Sequence, residues 1–178
     1  MKKFTKVARG IVNKLKAFTL CCLIEDDEEE FTEAQAKEIE LGYKAGLTTN
    51  QIRAYARLDL APFTMFMYRR CLELHSPIVE KLITPRHEDW QIAVICRSLL
   101  GGMTKDEVKP LADRRMSKEQ IGLVLKGYKA GLTASQVKSF AKPHYSLTEM
   151  TYRLVCLISD NKVSREVAEL LVSCKGGK

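Results

Sequence analysis

Apolar positions recur at helical spacing along the chain, and short polar signals interrupt them at regular intervals. Each signal is an apolar residue followed by Ser or Thr, with Gln or Glu three residues later, which is the pattern of a hydrophobic staple and a capping box at a helix start. It occurs at Phe31-Thr32-x-x-Gln35, Met116-Ser117-x-x-Gln120 and Tyr145-Ser146-x-x-Glu149. No alternating β-branched run bounded by turn residues stands out. The sequence therefore predicts an all-α fold.

A fifteen-residue segment, Gly42 to Ala56, returns as Gly127 to Ala141 with nine identical positions. Its centre is a helix stop followed at once by a helix start. Gly46 and Gly131 are predicted to end a helix in the left-handed conformation, at positive φ. Thr48 and Thr133 then cap the next helix, and Gly102-Met103-Thr104 repeats the same order of signals. The chain therefore contains an internal repeat.

The repeated signals divide residues 31–178 into units that begin at residues 31, 60, 87, 116 and 145, about 29 positions apart. This spacing predicts five tandem helix pairs that form a short solenoid or a compact helical array. The first and last pairs are expected to be the most polar on their outer side. The second pair should break near Leu74 and restart at Ser76-Pro77, and the fifth should turn near Asp160. Helix starts are predicted within a residue or two of Thr32, Thr48, Ser76, Thr104, Ser117, Thr133, Ser146 and Ser164.

Residues 1–24 precede the repeats as a basic amphipathic segment, which we predict to be helical. Residues 25–30 form an acidic linker, and residues 31–178 form the helical-repeat domain. The basic segment has three interpretations: packing against the first helix pair, lying on an anionic membrane surface, or contacting nucleic acid. Its apolar run is too short for a signal peptide or a membrane span. Packing on the repeats is the preferred interpretation.

The chain has a net charge of +7 and a pI near 9.1, and the excess of bases lies in the repeat region. Residues at one offset in stacked units lie on one face, so bases at equal offsets are candidate contacts for nucleic acid or for a partner that carries it. An ordinary solvated surface is the other interpretation, and the sequence alone slightly favours it. We call the two groups the first base set and the second base set; they are Arg70, Arg97 and Lys126, and Arg53, Lys109 and Lys138.

No catalytic, cofactor or metal motif is present in the sequence, which argues against an enzyme. The six cysteines have no Cys-x-x-Cys spacing, and the three histidines have no partners at zinc-ligand spacing. Cys71 and Cys156 occupy equivalent repeat positions and are predicted to be reduced thiols in the core of a cytoplasmic protein. We expect no catalytic residue, no cofactor and no metal ion.

The segment from Gly127 to Met150 carries Gly-x-x-x-Gly-Leu-Thr-x-x-Gln-Val-x-x-Phe-Ala-x-x-x-Tyr-Ser-x-x-x-Met. This pattern resembles a helical repeat of small proteins encoded in bacterial genomes and mobile elements, and the resemblance covers residues 31–172. The whole chain, short and basic with a charged N-terminal extension, resembles an anti-CRISPR protein that inhibits type II-A Cas9. That second resemblance rests on no diagnostic motif, so it transfers no site residue.

The anti-CRISPR resemblance implies a stoichiometric inhibitor in a bacterial host cell that binds Cas9 with its guide RNA and blocks DNA targeting or cleavage. A basic array has the wrong sign for a mimic of DNA at the PAM-reading arginines, so contact with double-stranded DNA or RNA is the more consistent expectation. The alternative is a host helical-repeat scaffold or DNA-associated protein unrelated to CRISPR. A peripheral membrane protein is the third and least favoured class.

Overall fold

The computed structural model describes the backbone of residues 31–175 and the side chains of residues 31–162. All regular structure in this part of the chain is helical, which confirms the all-α prediction. The predicted segments 1–24 and 25–30 lie outside the described residues. The chain divides into two compact units, one ending at Met103 and the other beginning at Thr104. This division falls inside the predicted third helix pair, residues 87–115.

The described part of the first unit contains four helices: α1 (Glu33–Lys44), α2 (Thr49–Tyr55), α3 (Pro62–Leu82) and α4 (Asp89–Leu100). Helix α3 is the centre of this unit, because α1, α2 and α4 all pack against it. Its core side chains include Met65, Tyr68 and Cys71, which are almost completely buried. The first unit is therefore a small helical core built around one long helix.

The second unit contains α5 (Lys105–Val108), a 3-10 turn (Lys109–Ala112), α6 (Lys118–Lys129), α7 (Ala134–Phe140) and α8 (Leu147–Lys175). Helix α8 packs against α6 and α7. Val124, Phe140 and Met150 form part of this core and are fully buried. The arrangement of α6, α7 and α8 thus parallels that of α1, α2 and α3.

Five helix starts have the complete capping box that the sequence predicts, at Thr32, Thr48, Thr104, Ser117 and Thr133. In each box, the cap hydroxyl accepts a hydrogen bond from the backbone N–H of the residue three positions later. The side chain of that residue accepts a hydrogen bond from the backbone N–H of the cap residue. The three glycines before Thr48, Thr104 and Thr133 lie at φ of 80°, 90° and 83°. The predicted helix starts at these five positions are therefore confirmed, and so is the positive φ at Gly46 and Gly131.

Two predicted breaks have different outcomes. In the second pair, α3 is kinked at His75 (φ −136°, ψ 28°), two residues before Pro77. Proline lacks the amide hydrogen and its ring clashes with the preceding turn, so the break stands where Ser76-Pro77 predicts it. In the fifth pair, the predicted start at Ser164 is wrong, because α8 continues to Lys175. Lys162 stands at the repeat position of Pro77, and α8 contains neither proline nor glycine.

The same side-chain contacts occur in both units, 85 positions apart. Gln35 donates its side-chain amide to the Leu60 carbonyl at 2.8 Å, and Gln120 donates to the Tyr145 carbonyl at 2.8 Å. Gln51 likewise reaches Ser76 Oγ at 2.7 Å, and its counterpart Gln136 reaches Asn161 Oδ1 at 2.9 Å. In both units, the first of these glutamines therefore binds the loop just before the long helix, and the second binds the long helix itself.

Candidate binding surface

The outer side of α3 carries a row of apolar side chains next to an arginine. Phe63, Phe66, Arg70 and Leu74 are three, four and four residues apart, so they share one face of the helix. Phe63 and Leu74 are each 59% exposed, and Phe66 is 39% exposed. The Phe63 and Phe66 rings stack at 6.1 Å between centroids. We call these four residues the α3 outer surface.

A buried ion cluster supports this surface from one side. The Arg69 guanidinium donates to Glu38 Oε2 on α1 at 2.9 Å and also pairs with Glu73, one turn further along α3. Arg69 is only 7% exposed, although it carries a full charge. Burial alone would lower the pKa of Arg69, but the hydrogen bonds to the two carboxylates outweigh it and raise the pKa. The cluster therefore holds a charged arginine inside the α1–α3 contact.

The cluster also reaches the α3 outer surface directly. Glu73 accepts both Arg69 and Arg70, so the exposed Arg70 guanidinium is held against the helix. The Arg69 guanidinium lies 5.6 Å from the centroid of the Phe66 ring, within the range of a cation–π contact. The charges of Arg69 and Arg70 are balanced by those of Glu38 and Glu73. The α3 outer surface is therefore apolar and close to neutral, which suits a protein partner better than a phosphate backbone.

Tyr55 completes the contact between α1, α2 and α3. Its hydroxyl donates to the Glu38 carbonyl at 3.1 Å, and burial raises the pKa of this phenol above its ordinary value. A Cβ at Gly42 would lie 1.9 Å from the Tyr55 hydroxyl, so glycine is required for this close approach. The Tyr55 hydroxyl thus occupies the space beside Gly42 that the side chain of a larger residue at that position would fill.

The second unit provides an internal comparison for these features. The residues 85 positions after Glu38, Tyr55, Arg69 and Glu73 are Leu123, Phe140, Leu154 and Ile158. All four polar groups are replaced together by apolar side chains, and the helices still form the same contacts. The residues equivalent to Phe63, Phe66 and Leu74 are Thr148, Thr151 and Ser159. The fold therefore requires neither the ion cluster nor the exposed phenylalanines, which are specific to the first unit.

The predicted base sets are divided between the two units. Arg53, Arg70 and Arg97 belong to the first unit, whereas Lys109, Lys126 and Lys138 belong to the second. Arg97, Lys109, Lys126 and Lys138 are exposed, and Arg53 and Arg70 are partly buried. The alignment of each set along one face stays a prediction.

Helix ends give a second reason why these bases recur. Arg53, Arg97, Lys126 and Lys138 lie in the last turns of α2, α4, α6 and α7. Lys109 is the C-cap residue of α5. Cations at a helix C-terminus interact favourably with the helix dipole. Equal offsets in repeated helices therefore follow from the helix boundaries as well as from a shared binding surface.

In the described residues, the side chains that could bind a metal ion or take part in catalysis lie apart from one another or are bound to a neighbouring side chain. Among residues 31–162, no three His, Cys, Asp or Glu side chains lie close enough to hold a metal ion. A shallow groove of about 560 Å³ is lined by Gln35, Leu58 and Asp59 among others. Arg57 binds the Asp59 carboxylate at 2.5 Å and lowers its pKa.

No helix in the described part of the chain has the length and apolar character needed to cross a membrane.

Sequence reasoning missed the ion cluster and the α3 outer surface, because their members are far apart in sequence or look like ordinary core positions. Aligning the two copies shows only that Glu38, Tyr55, Arg69 and Glu73 stand where the second copy has apolar residues. The contacts among these four residues follow from the structure. No protein-family model, no curated protein and no solved structure matches the chain.

Proposed function

We propose that this chain is a non-enzymatic binding protein whose α3 outer surface contacts a protein partner. The observation that carries the proposal is the exposed row Phe63, Phe66 and Leu74, which the second unit replaces by hydroxyl residues. Aromatic and arginine side chains dominate the energetics of protein interfaces. The ion cluster fixes Arg70 beside the row, which reduces the entropy that binding must remove.

Guide-loaded Cas9 is the partner that the sequence resemblance implies, and we propose it as the first one to test. In this proposal the chain is a phage or mobile-element anti-CRISPR that holds Cas9 through the α3 outer surface and blocks DNA targeting or cleavage. The exposed bases of the two sets then contact the guide RNA or the target DNA. This choice of partner rests on the resemblance, whereas the choice of surface rests on the structure.

The alternative function is a host scaffold or DNA-associated protein, and the excess of bases favours its DNA-binding form. The Cas9 inhibitor and the DNA-associated protein differ in the partner and the salt concentration at which they bind. A Cas9 inhibitor binds guide-loaded Cas9 at physiological salt and inhibits DNA cleavage at equimolar ratio. A DNA-associated protein binds duplex DNA alone, with an affinity that falls steeply with salt.

The experiment exchanges the α3 outer surface for the residues of the second unit: Phe63→Thr, Phe66→Thr and Leu74→Ser in one variant. Affinity for guide-loaded Cas9 should fall by roughly 30-fold or more, because a lost hot spot costs at least about 2 kcal/mol. The matched control replaces Thr148, Thr151 and Ser159 on α8 by Ala and should bind like the parent. Equal binding by parent and first variant contradicts the proposed surface. A parent that neither binds nor inhibits Cas9 contradicts the partner.

We also propose that the helix pairs stack in sequence as a short solenoid. The recurring glutamine contacts of the two units support a repeated structural element. Small-angle scattering of a chain trimmed to residues 31–178 tests the arrangement. A compact domain of that length has a radius of gyration of about 15 Å. A clearly larger value supports a solenoid, and a value near 15 Å supports a compact array.

A further inference from the structure

The four residues of the α3 outer surface follow one another at intervals of three, four and four positions, from Phe63 to Leu74. Phe63 and Leu74 are more than half exposed, so the described part of the chain does not cover them. A row with this spacing runs along one side of a helix, and an apolar row of the same spacing on a second helix is its complement. The surface therefore fits a helix that lies alongside α3.

Residues 1–24, which lie outside the described residues, carry an apolar row of this kind in their sequence. Read backwards along the chain, its members are Phe18, Leu15, Ile11 and Val7. Their intervals are again three, four and four. Because the order is reversed relative to α3, the two rows match when the two helices are antiparallel. Phe18 then lies opposite Phe63, and Val7 lies opposite Leu74.

The described chain begins beside the N-terminus of α3. Gln35, in the first turn of α1, donates to the Leu58 and Leu60 carbonyls at 3.2 and 2.8 Å, just before α3 begins at Pro62. Thr32 and Pro62 line the same shallow groove. The six residues before residue 31 can span roughly 20 Å, which exceeds the separation of about 8–10 Å between packed helices. A segment that enters from this end of α3 runs antiparallel to it.

The charges at this end of α3 favour the same path. Helix α3 has no capping side chain at Ala61 and no acid in its first turn. In the second unit, the Ser146 hydroxyl accepts the Glu149 amide at 3.1 Å, and Glu149 supplies an acid to the first turn of α8. The six acids of residues 25–30 pass the N-terminus of α3 in the antiparallel arrangement, where negative charge complements the helix dipole. The linker thus provides the charge that α3 lacks.

We propose that residues 1–24 dock as a helix on the α3 outer surface, antiparallel to α3, with Leu15 opposite Phe66. This contact lies on the second helix pair, whereas the sequence interpretation places the segment on the first. The chain then covers its own binding surface, and a partner has to displace the segment. This regulatory role rests on the proposed function of the surface, but the docking itself does not.

Limited trypsin digestion of the full chain, read by mass spectrometry, tests the docking. Residues 1–24 contain six bases and residues 25–30 contain none, so every tryptic site before residue 31 lies in the docked segment. Cleavage follows the population of the open segment, so a docked fraction of about 90% slows it about tenfold. The variant Phe63→Thr, Phe66→Thr, Leu74→Ser should lose this protection. The control Thr148→Ala, Thr151→Ala, Ser159→Ala should keep it.

Two results overturn the docking. Equal cleavage of residues 1–24 in the parent and in the α3 variant shows that the segment does not lie on this surface, which is then open to an external partner alone. Protection that increases with protein concentration assigns the segment to a second copy of the chain.

Charge exchange tests the antiparallel register, with cleavage after Arg9 as the readout. Leu15→Glu alone and Phe66→Lys alone should each lose protection, because each places one charge in the apolar contact. The two together place opposite charges face to face and should regain much of the protection. Leu15→Glu with Leu74→Lys is the mismatched control and should stay unprotected. Failure of the matched pair to regain protection, or equal recovery in the mismatched pair, contradicts the register.

The regulatory role is tested with Ile11→Glu, Leu15→Glu in the full chain, which releases the segment and leaves the α3 outer surface unchanged. This variant should bind guide-loaded Cas9 about tenfold more tightly, because the parent binds only in its open fraction of about 10%. Equal affinity in parent and variant overturns the regulatory role. If neither binds Cas9, the proposed partner is wrong, and the digestion of the full chain still decides the docking.

Discussion

The Arg69 guanidinium and the Glu38 carboxylate join α3 to α1 through a 2.9 Å hydrogen bond that is largely shielded from solvent. Glu73 is the second partner of Arg69, and Tyr55 binds the Glu38 backbone. Desolvating these charges is costly, and their pairing offsets the cost only while every partner is present. The second unit builds the same helix contacts with leucine, isoleucine and phenylalanine.

Removing Arg69 alone should destabilise the protein strongly. In Arg69→Leu, the Glu38 and Glu73 carboxylates lose their buried partner, and breaking such a pair costs about 3–5 kcal/mol. The variant that installs the whole apolar set of the second unit, Glu38→Leu, Tyr55→Phe, Arg69→Leu and Glu73→Ile, should recover most of that loss. Urea unfolding at pH 7 measures both. A fourfold variant less stable than Arg69→Leu would show that the two units do not share one packing arrangement.

The helix boundaries were predictable because they depend on local chemistry. A capping box needs only four consecutive residues, and a left-handed glycine needs only its own backbone. Thr48 and Thr133 therefore cap helices in both copies of the repeat. The start at Ser164 failed because a serine cap signal does not end the preceding helix. At Ser76 the neighbouring proline breaks the helix, and at the equivalent place in α8 Lys162 does not.

Side-chain environments that depend on tertiary contacts were less predictable. Cys71 and Cys156 occupy the same repeat position, and the sequence assigns both to the core. Only Cys71 is buried, since α4 follows α3 and covers it, whereas no helix covers Cys156 in the described part of the second unit. Repeat position determines which way a side chain points; the neighbouring element determines whether it is buried.

Gly46 and Gly122 should respond to alanine in opposite directions. Gly46 lies at φ 80°, where a Cβ is strained even though no other atom lies within 4 Å of it. Gly46→Ala should destabilise the protein by roughly 1 kcal/mol. Gly122 lies within α6 and also has open space around it, so Gly122→Ala should stabilise by about 0.5–1 kcal/mol. Equal effects in thermal unfolding would contradict the assigned helix stop.

Glu107 should make the cap of α5 sensitive to acid. Its carboxylate accepts the Thr104 amide and hydroxyl at 2.7 Å, and these hydrogen bonds lower the pKa of Glu107 below its ordinary value of 4.5. A lowered folded-state pKa adds stability that is present above the unfolded pKa and lost as the pH falls through the folded one. The other four complete capping boxes have glutamine at this position.

Glu107→Gln keeps the box and removes the titrating group. Parent and variant should therefore differ most in stability at neutral pH, with the parent more stable, and should converge below pH 4.5. Urea midpoints between pH 7 and pH 3 measure the difference. As a control, Glu33→Gln changes the charge of an exposed carboxylate outside any box acceptor position. A constant difference between parent and Glu107→Gln over this pH range would show that the carboxylate gains nothing from ionisation.

The two base sets should bind nucleic acid if they form contact surfaces rather than helix-end charges alone. Each phosphate contact releases counterions, so log–log plots of duplex affinity against salt should lose about 0.9 of slope for every contact removed. The helix dipole predicts a loss of stability for the same substitutions but no loss of binding. Replacing each set by Gln instead of Glu limits that loss, because no like charge is placed at a helix C-terminus.

The decisive comparison uses the first set, Arg70, Arg97 and Lys126, against the second, Arg53, Lys109 and Lys138. A set that contacts DNA or a guide-loaded partner should lower both the affinity and the salt slope when replaced by Gln. A set whose bases only complement helix dipoles, or in the case of Arg70 only pair with Glu73, should lower the melting temperature and leave the slope unchanged. Lys118 to Gln in the first turn of α6 is the matched control, since that base lies at the opposite end of its helix. If neither set changes the slope, these six bases do not provide the phosphate contacts, and the bases of residues 1–24 are the next ones to replace.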